Sequence, residues 1–493
     1  MKRISFLILI FLYTTTLIAN NNIFAFEQSS TSLTLNIENT KSLNFSLVDF
    51  ENKLNSDLVF IPFKLPLIEE VFLDVSLKSF SVINDNHTLI IETNNGQKEE
   101  EFNSDLLSYY IFHNDEIIGT LLFFDNNIIV TYKYGNRQFE INTIDNEILL
   151  FDVNDCINKN TFSCAVEEKA RQISANHSTS ESITIPDCIE LAIEIDQYTR
   201  NTFSSNADAS TWAHAIIAGV SQVYFGEVNI HINVVHTIIW TTTDPYAGII
   251  DSASTMIYAL RDHWNLNNAS ITRDLVHLLT KRTNTGTGGI AYLDVLCNNS
   301  WGYAFSAHLN SNTSFGFPNP PYTWNLMVIS HEIGHNVGAN HTHWCGWAPD
   351  PSLSFIGGPI DNCVNVEGSC PDNPTPQVGT IMSYCHTTSS GIIIDFHDIV
   401  VSQALNPGIN NASCLSACTF YGCTDSTALN YDSSATMDDS SCVYPNIFGC
   451  TDSLALNYDS LANTDDGSCI FYTPVHNITQ NIDYRFIQPA LDA

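Results

Sequence analysis

Apolar runs of strand length, separated by turn residues, are frequent in the first third of the chain. The runs 116–124 and 128–134 are strand-like, and Asp125-Asn126-Asn127 between them is typical of a hairpin turn. Gly135-Asn136 indicates a further turn directly afterwards. This pattern predicts a β-rich domain over residues 26–165.

Helical spacing of apolar residues begins to alternate with strands after residue 186. The order strand, helix, strand, helix, strand is carried by the segments 189–195, 207–225, 230–236, 256–264 and 275–279. Such an order predicts an α/β sandwich with a mixed, largely parallel sheet, which we extend over residues 186–418. Three histidines within the strands, His231, His236 and His277, are expected to be packing or surface residues rather than metal ligands.

The amino terminus, residues 1–25, has the pattern of a secretory signal peptide. A basic pair, Lys2-Arg3, precedes an apolar run, and cleavage is possible after Ala19 or Ala25. The alternative is an uncleaved anchor, but the apolar run is short and is interrupted by threonines. No later stretch is long and apolar enough to span a bilayer, so no membrane span is expected.

A polar segment, residues 166–185, separates the β-rich domain from the α/β domain. Charged residues fill its first part, and a Ser/Thr-rich run, 178–182, follows. We expect an exposed linker that is a natural place for activation cleavage. The alternative is an ordinary interdomain loop that is never cut.

A sequence repeat with a period of 27 residues occupies residues 419–471. The segment 422–432 recurs as 449–459, and the acidic segment that ends at Cys442 recurs with Cys469 at its end. Each unit is too small to bury a core of its own, so one disulfide in each unit is expected, Cys423–Cys442 and Cys450–Cys469. The clustered Asp and Asn oxygens favour either calcium binding or a solvated acidic stalk. The tail 472–493 gives no signal.

The net charge of the chain argues against some classes of binding partner. Lys and Arg total 18 against 53 Asp and Glu, which gives a formal net charge of −35. Such a chain repels nucleic acids and anionic membranes, so neither is expected as a partner. The 14 cysteines are an even number and, given export, indicate mainly disulfides.

The segment from His331 to His341 carries the chemistry of the chain, because it reads H-E-x-x-H-x-x-G-x-x-H. On a helix, residues four apart share one face, so His331 and His335 can bind one metal ion. Gly338 lets the chain leave the helix and return His341 as a third ligand. Three nitrogen ligands leave a fourth position open, as in catalytic zinc sites, and Glu332 lies beside it. The alternative is a helix with buried, hydrogen-bonded histidines.

This extended motif, followed by Thr380-Ile381-Met382-Ser383-Tyr384, resembles the metzincin zinc metallopeptidases of the bacterial reprolysin (adamalysin)-like type. The resemblance implies zinc on His331, His335 and His341 and a methionine turn at Met382. It also implies that Glu332 is the general base and that the β-rich domain is a pro-domain.

Several further residues are interpreted through resemblance to this clan. The reprolysin turn usually lacks a tyrosine after the methionine, and Met382-Ser383-Tyr384 is similar instead to the astacin and serralysin turn. That resemblance implies that Tyr384 binds the metal or the oxyanion, and the alternative is a buried structural tyrosine. The segment 302–306 would be the edge strand that holds substrate, or an interior strand without that role. Cys297 would pair with Cys414 or Cys418. The positions after the third histidine depart from the reprolysin pattern. His343 and His386 are expected at the surface, and the alternative is that they approach the metal.

Cys156 and Cys164, at the end of the β-rich domain, leave two interpretations open. They form a short disulfide with each other, or one of their thiolates occupies the open zinc position.

Together these features predict a secreted zinc-dependent endopeptidase that hydrolyses protein or peptide substrates with water activated by the metal. Two alternatives belong to other classes of protein. One is a catalytically inactive metzincin-like adhesion or surface-binding protein, and the other is a structural surface protein whose repeats are its working part. The presence of Glu332 argues against the first alternative, since a scaffold needs no general base.

Overall fold

The structure is a computed structural model, and its chain divides into two compact units. The first comprises residues 1–56 and 60–418, and the second comprises residues 57–59 and 419–493. The structure describes residues 23–27, 40–54, 58–102, 104–144, 147–155, 165–167, 187–249, 252–310, 321–370, 378–432, 435–438, 440–471, 475–477 and 479–484. Cys156, Cys164 and most of the predicted signal peptide and linker therefore lie outside the described residues.

The amino-terminal part of the first unit is almost entirely β-structure. Its elements are β1 (Phe24–Phe26), β2 (Lys41–Phe45), α1 (Leu47–Leu54), β3 (Ile61–Pro66), β4 (Phe72–Phe80), β5 (Ile83–Thr93), β6 (Gly96–Glu100), β7 (Leu107–His113), β8 (Glu116–Phe124), β9 (Asn127–Tyr134), β10 (Arg137–Ile144) and β11 (Glu147–Asp152). All of these strands except β5 and β6 form one antiparallel sheet in the order β1-β2-β11-β10-β9-β8-β7-β4-β3. The β-rich prediction for this part is confirmed.

The first strand of this sheet, β1, overlaps the end of the predicted signal peptide, residues 1–25. Strand β1 pairs with β2, and Phe24 is fully buried in the core of the sheet. Cleavage after Ala25 would cut through β1 and remove a buried ring from that core.

The α/β part of the first unit alternates strands and helices. Its elements are β12 (Ala165–Glu167), β13 (Asp187–Ile195), α2 (Gln197–Arg200), α3 (Asn206–Val228), β14 (Ile230–Trp240), α4 (Ala253–Asn267), β15 (Leu275–Leu279), β16 (Gly289–Tyr292), β17 (Tyr303–Ser306) and α5 (Pro321–Val337). Strands β14, β13, β15 and β17 lie side by side and run parallel. Their near-continuous apolar runs fit a sheet that is covered on both faces.

Local sequence explains where the long helix α3 begins and ends. Ser205 and Asp208 form a reciprocal capping box at its start, which satisfies backbone N–H groups that have no partner within the helix. At its end, Asn229 adopts a left-handed conformation with φ of 54°, which asparagine tolerates better than most residues. The predicted helix 207–225 is thus confirmed and slightly extended at both ends.

The hairpin β5–β6 leaves the amino-terminal sheet and joins the sheet of the α/β part. Strand β5 runs parallel to β14, with Thr88 opposite His236 and Glu92 opposite Trp240. The main path of this second sheet has the order β12-β16-β17-β15-β13-β14-β5-β6. The amino-terminal segment therefore contributes to both sheets.

The prediction that residues 302–306 form the edge strand is wrong. Strand β17 lies inside the sheet, parallel to β15 on one side and antiparallel to β16 on the other. The outer strand of this group is β16, and β12 pairs with it in parallel. Both β16 and β17 are short, apolar and fully buried, so nothing in their composition shows which of them lies outside.

The rest of the first unit has little regular structure and is braced by disulfides. Helix α6 (Asp398–Val400) continues through a π-helical turn, Val401–Leu405, into α7 (Asn406–Asn410), and β18 (Ser416–Ala417) pairs with the start of β13. The disulfides in this unit are Cys188–Cys418, Cys297–Cys414, Cys345–Cys370 and Cys363–Cys385. Of the two partners expected for Cys297, Cys414 is the one observed.

The second unit contains the two repeats, and both predicted disulfides are present, Cys423–Cys442 and Cys450–Cys469. Its short strand pairs are β19 (Tyr421–Gly422) with β20 (Met437–Asp438), β21 (Phe448–Gly449) with β22 (Thr464–Asp465), and β23 (Val475–Asn477) with β24 (Ile482–Tyr484). In each repeat one asparagine, Asn430 or Asn457, hydrogen-bonds the backbone on both sides of the second cysteine. Within the described residues, no helix combines the length and the apolar character that a bilayer crossing requires.

Candidate metal centre and active site

Helix α5 presents the first two histidines of the motif on one face. His331 and His335 are one turn apart, and both are buried. The helix ends at Val337, and Gly338 has a φ of 128°, a conformation that residues with a side chain rarely adopt. The N–H of Gly338 and that of Ala339 both donate to the carbonyl of Gly334, which closes the end of the helix. The predicted exit at Gly338 is therefore present.

The turn after Gly338 brings His341 back to the other two imidazoles. The Nε2 atom of His335 lies 3.1 Å from that of His331 and 3.2 Å from that of His341. Tetrahedral zinc with Zn–N bonds of about 2.0–2.1 Å places its nitrogen ligands about 3.3 Å apart. The three nitrogens thus have the spacing of ligands on one ion, and they form a possible metal-binding group.

Hydrogen bonds behind the rings determine which nitrogen carries the proton. The Nδ1 atom of His331 lies 2.7 Å from the carbonyl oxygen of Ile381, and that of His335 lies 2.7 Å from the carbonyl oxygen of Ala339. A carbonyl can only accept, so each Nδ1 donates and each Nε2 keeps its lone pair.

Burial keeps these rings neutral. Burial and the neighbouring imidazoles lower the pKa of His331 well below its usual range and that of His335 to about 3. Burial also lowers the pKa of His341, although Glu367 opposes this effect. Lone pairs that converge at this spacing without a proton repel one another, and a cation between them removes that repulsion. The donor set therefore fits a zinc ion.

Glu332 lies next to this group, on the same helix and fully buried. The start of strand β16 passes directly over it: a Cβ placed on Gly289 would lie 2.4 Å from the Glu332 Oε1 atom. Only glycine allows the strand to approach the carboxylate so closely. This contact places the outer strand β16 alongside the general base that was expected from the sequence.

Met382 lies beneath the helix in a tight turn. Its sulfur packs against Gly334, where an added Cβ would approach within 2.9 Å, and its side chain is fully buried. The Met382 carbonyl accepts hydrogen bonds from the backbone N–H and the hydroxyl of Thr342. The Ile381 carbonyl in the same turn accepts a hydrogen bond from His331. The turn therefore orients His331 directly, and through Thr342 it supports the segment that carries His341.

Tyr384 also reaches the histidine group. Its hydroxyl lies 3.3 Å from the Nε2 atom of His341, and its ring is 5.0 Å from the His341 ring. All six residues singled out from the sequence, His331, Glu332, His335, His341, Met382 and Tyr384, therefore meet in one place.

A surface role was expected for His343, and this expectation is wrong. His343 is buried and its ring stacks on that of His341 at 4.9 Å, nearly parallel. Both rings approach one carboxylate, because Glu367 Oε1 lies 2.7 Å from His341 Nδ1 and 3.2 Å from His343 Nε2. His386 is half-buried, with its ring against Trp324.

Sequence reasoning did not identify Glu367. It lies 26 residues after His341 in the loop that Cys345–Cys370 and Cys363–Cys385 brace. The one signal that the sequence offers for it is the unusual length of the loop between His341 and Met382, because long loops in compact domains are often functional.

The three strand histidines are packing residues, as expected. His231 hydrogen-bonds Tyr110, His236 bonds Thr88, and His277 bonds Ser306. None of them belongs to a group that could hold a metal within the described part of the chain. The repeats contribute no such group either among their described residues.

Comparison with models of known protein families finds a match for the part of the chain that contains these residues. Residues 186–392 match the family model described as metallo-peptidase family M12, of the reprolysin type. These residues form a reprolysin-like metallopeptidase domain. The matched segment contains the whole motif, the methionine turn and Tyr384, and M12 metallopeptidases use zinc.

A solved structure, that of metalloproteinase-II from Bacteroides fragilis, is similar to this chain over a larger range. The similarity covers 71% of this chain and 92% of that chain, at 12% sequence identity and a TM-score of 0.37.

Proposed function

We propose that this protein is a secreted zinc-dependent endopeptidase. The observation that carries the proposal is the convergence of three neutral imidazole Nε2 atoms, 3.1 and 3.2 Å apart, beside a buried glutamate in a reprolysin-like domain. The six disulfides among the described residues support export to an oxidising compartment.

His331, His335 and His341 would hold the zinc ion. When bound, zinc supplies Lewis-acid chemistry, which acidifies water and polarises a carbonyl group. Ile381, Ala339 and Glu367 accept hydrogen bonds from the far side of the rings and keep the three lone pairs directed inward. The chain itself thus prepares the ligands before a metal arrives.

Glu332 acts as the general base. Its carboxylate removes a proton from the attacking water, and it then delivers that proton to the amine nitrogen that leaves when the peptide C–N bond breaks. The close approach of Gly289 restricts where this carboxylate can move. Tyr384, with its hydroxyl beside the ligand group, donates a hydrogen bond to the oxygen that gains negative charge.

Substrate binds along β16, which takes over the role first expected of residues 302–306. A strand at the edge of a sheet offers backbone N–H and C=O groups that hold an extended peptide as an added strand. In the structure, the three residues of β12 pair with β16 in parallel and so occupy this edge. We therefore propose that β12, which follows the amino-terminal sheet in the chain, blocks the cleft of a zymogen.

The test uses protein that has been cut within residues 166–185 and loaded with zinc. We expect it to cleave casein and members of a peptide library, and a chelator should abolish the activity. Glu332→Gln should lower kcat by about 10²–10⁴-fold and leave the zinc content at one ion per chain.

Asp262→Asn, which removes an exposed carboxylate from α4, is the matched control and should keep full activity. Zinc-loaded, cut wild-type protein that cleaves no member of the library would refute the peptidase assignment.

A further inference from the structure

The amino-terminal region, defined here as residues 23–155, is part of the same hydrogen-bonded sheet as the peptidase domain. Strand β5 pairs with β14 over the register from Thr88–His236 to Glu92–Trp240. Further bonds extend this pairing at both ends, from Val234 N–H to the Val82 carbonyl and from Thr241 N–H to the Glu92 carbonyl. Removal of β5 would leave β14 with a row of unpaired backbone groups.

The same region also shares the main hydrophobic core. Leu89 and Ile91 of β5 and Leu122 of β8 are at most 3% exposed and pack in one cluster with α3 and α5 of the peptidase domain. This cluster includes Ile329 and Ile333, which flank the first metal-site histidine. Loss of the region would expose apolar surface on the side of the sheet that supports α5.

Glu140 of the amino-terminal region caps the helix that carries the proposed metal ligands. Its side chain is fully buried, and it accepts hydrogen bonds from the backbone N–H of Tyr322, the backbone N–H of Thr323 and the Thr323 hydroxyl, at 3.4, 3.0 and 2.6 Å. Asn142 donates a further bond to it. The first turn of α5 contains no acidic residue of its own. The helix therefore receives its capping carboxylate from another region of the chain.

The amino-terminal region also hydrogen-bonds the segment that lies beside the methionine turn. Asn154 donates to the carbonyl of Ile392 and accepts from its N–H, and Gln138 accepts from the N–H of Ile394. The segment that contains these isoleucines bonds in turn to Gly379 and Ile381 at the turn. Because the Ile381 carbonyl orients His331, the amino-terminal region reaches the ligand group by a second route.

A partly buried lysine forms ion pairs across the interface. Lys133 lies 2.6 Å from Asp395 and 3.7 Å from Glu227, two carboxylates of the peptidase domain. Burial and the adjoining Asp395 raise the pKa of Glu227, as expected where two carboxylates lie close together. Without Lys133 the two carboxylates would face each other with no cation between them.

We propose that the amino-terminal region is a permanent part of the peptidase and stays bound, without a covalent link, after the chain is cut between β12 and β13. Only β12, which is attached through three residue pairs to the strand at the cleft, has to leave for substrate to enter. This last step rests on the proposed peptidase function, whereas the retention of residues 23–155 does not. Every cysteine from Cys188 onward pairs with another in that part of the chain, so no disulfide ties the two fragments.

The experiment places a recognition sequence for a specific protease within residues 168–186 of the full-length protein. After complete cleavage, the two fragments are run on a size-exclusion column in native buffer, with non-reducing gels of each fraction and zinc analysis. We expect the fragments to elute together, to carry zinc, and to separate only in denaturant. The cut complex should melt near the temperature of the uncut protein.

A double variant, Lys133→Met with Glu140→Ala, tests whether the named contacts hold the complex. We expect partial separation of its fragments and loss of zinc from the carboxyl-terminal one. Asp74→Asn, which removes a carboxylate that is 82% exposed on the same amino-terminal sheet, should behave like the wild type.

The proposal is overturned if the wild-type amino-terminal fragment elutes alone, or if the isolated peptidase fragment keeps its zinc and its melting temperature. A zinc-loaded complex that stays together but cleaves no peptide would leave the retention intact and refute only the peptidase function.

Discussion

At the scale of single residues, each proposed metal ligand depends on an acceptor behind it. Two of the three acceptors are backbone carbonyls, at Ile381 and Ala339, and their positions are fixed by the turns that contain them. The third is the carboxylate of Glu367, a side chain that is 44% exposed. Backbone acceptors cannot be removed by substitution, so Glu367 is where the orientation of a ligand can be tested.

Substitution Glu367→Gln should weaken zinc binding by about 10–100-fold, because a neutral amide oxygen accepts a weaker hydrogen bond from His341 Nδ1 than a carboxylate does. Competition with a chromogenic chelator measures this change directly. The control is Asp262→Asn, which also removes one exposed negative charge. An unchanged dissociation constant for zinc would show that Glu367 merely braces the loop.

Tyr384 gives a second test, because two roles were left open for it. If its hydroxyl stabilises the developing oxyanion, Tyr384→Phe should lower kcat by about 10²–10³-fold while KM, zinc content and melting temperature change little. A purely structural tyrosine predicts the reverse pattern, with a lower melting temperature and a nearly normal kcat. The hydroxyl position 3.3 Å from His341 Nε2 favours the first outcome.

The motif residues could be predicted from the sequence because their geometry is local. Helical spacing fixes His331 against His335, and a glycine with positive φ returns His341 within six residues. Glu367 and Glu140 could not be found in this way, since each meets its partner through tertiary packing. Glu140 is 183 residues from Thr323, and the only sequence hint was a helix start without an acidic residue.

At the scale of the elements, strand β13 carries an ionisable group in the middle of the sheet. Glu194 is fully buried, and its oxygens accept hydrogen bonds from Trp240, Tyr246 and Trp264. Burial raises the pKa of Glu194 to about 7, although the three donors oppose that effect. The folded chain therefore holds this proton to a higher pH than the unfolded chain.

This difference predicts a pH-dependent stability. A raised folded-state pKa contributes stability that is complete below the ordinary value of 4.5 and is lost as the pH rises toward 7. Over that window the unfolding free energy should fall by up to about 3 kcal/mol on account of Glu194, and Glu194→Gln should remove this part of the slope.

Denaturant unfolding at several pH values measures the slope, with Glu190→Gln on the same strand as the control. Equal slopes for the wild type and Glu194→Gln would contradict this account.

The elements themselves were largely predictable, but their neighbours were not. Apolar periodicity located α3, β14 and β15, because each has a clear period and sufficient length. The pairing of β16 outside β17, and of β5 with β14, depends on contacts that are distant in sequence. Periodicity carries no information about such partners.

At the scale of the whole molecule, the two compact units are stabilised by different means. The first unit has large buried clusters, and its disulfide Cys188–Cys418 closes a loop with a sequence separation of 230 residues. Each repeat of the second unit buries little: Leu454 and Leu461 are both 73% exposed, and the disulfide Cys450–Cys469 spans only 19 residues. Loss of a disulfide should therefore lower the stability of the first unit without unfolding it. In a repeat, the same loss should prevent folding.

Two double variants compare these roles in one chain. Cys188→Ser with Cys418→Ser should lower the unfolding free energy of the first unit by about 2–5 kcal/mol, while that unit still folds around its core. Cys450→Ser with Cys469→Ser should make residues 449–471 sensitive to added protease, because hydrogen bonds such as those of Asn457 cannot hold an exposed loop alone.

Thermal unfolding and limited proteolysis with mass spectrometry measure both effects on the same samples. A protease-resistant second repeat without its disulfide would mean that its exposed leucines are covered by something other than the repeat itself.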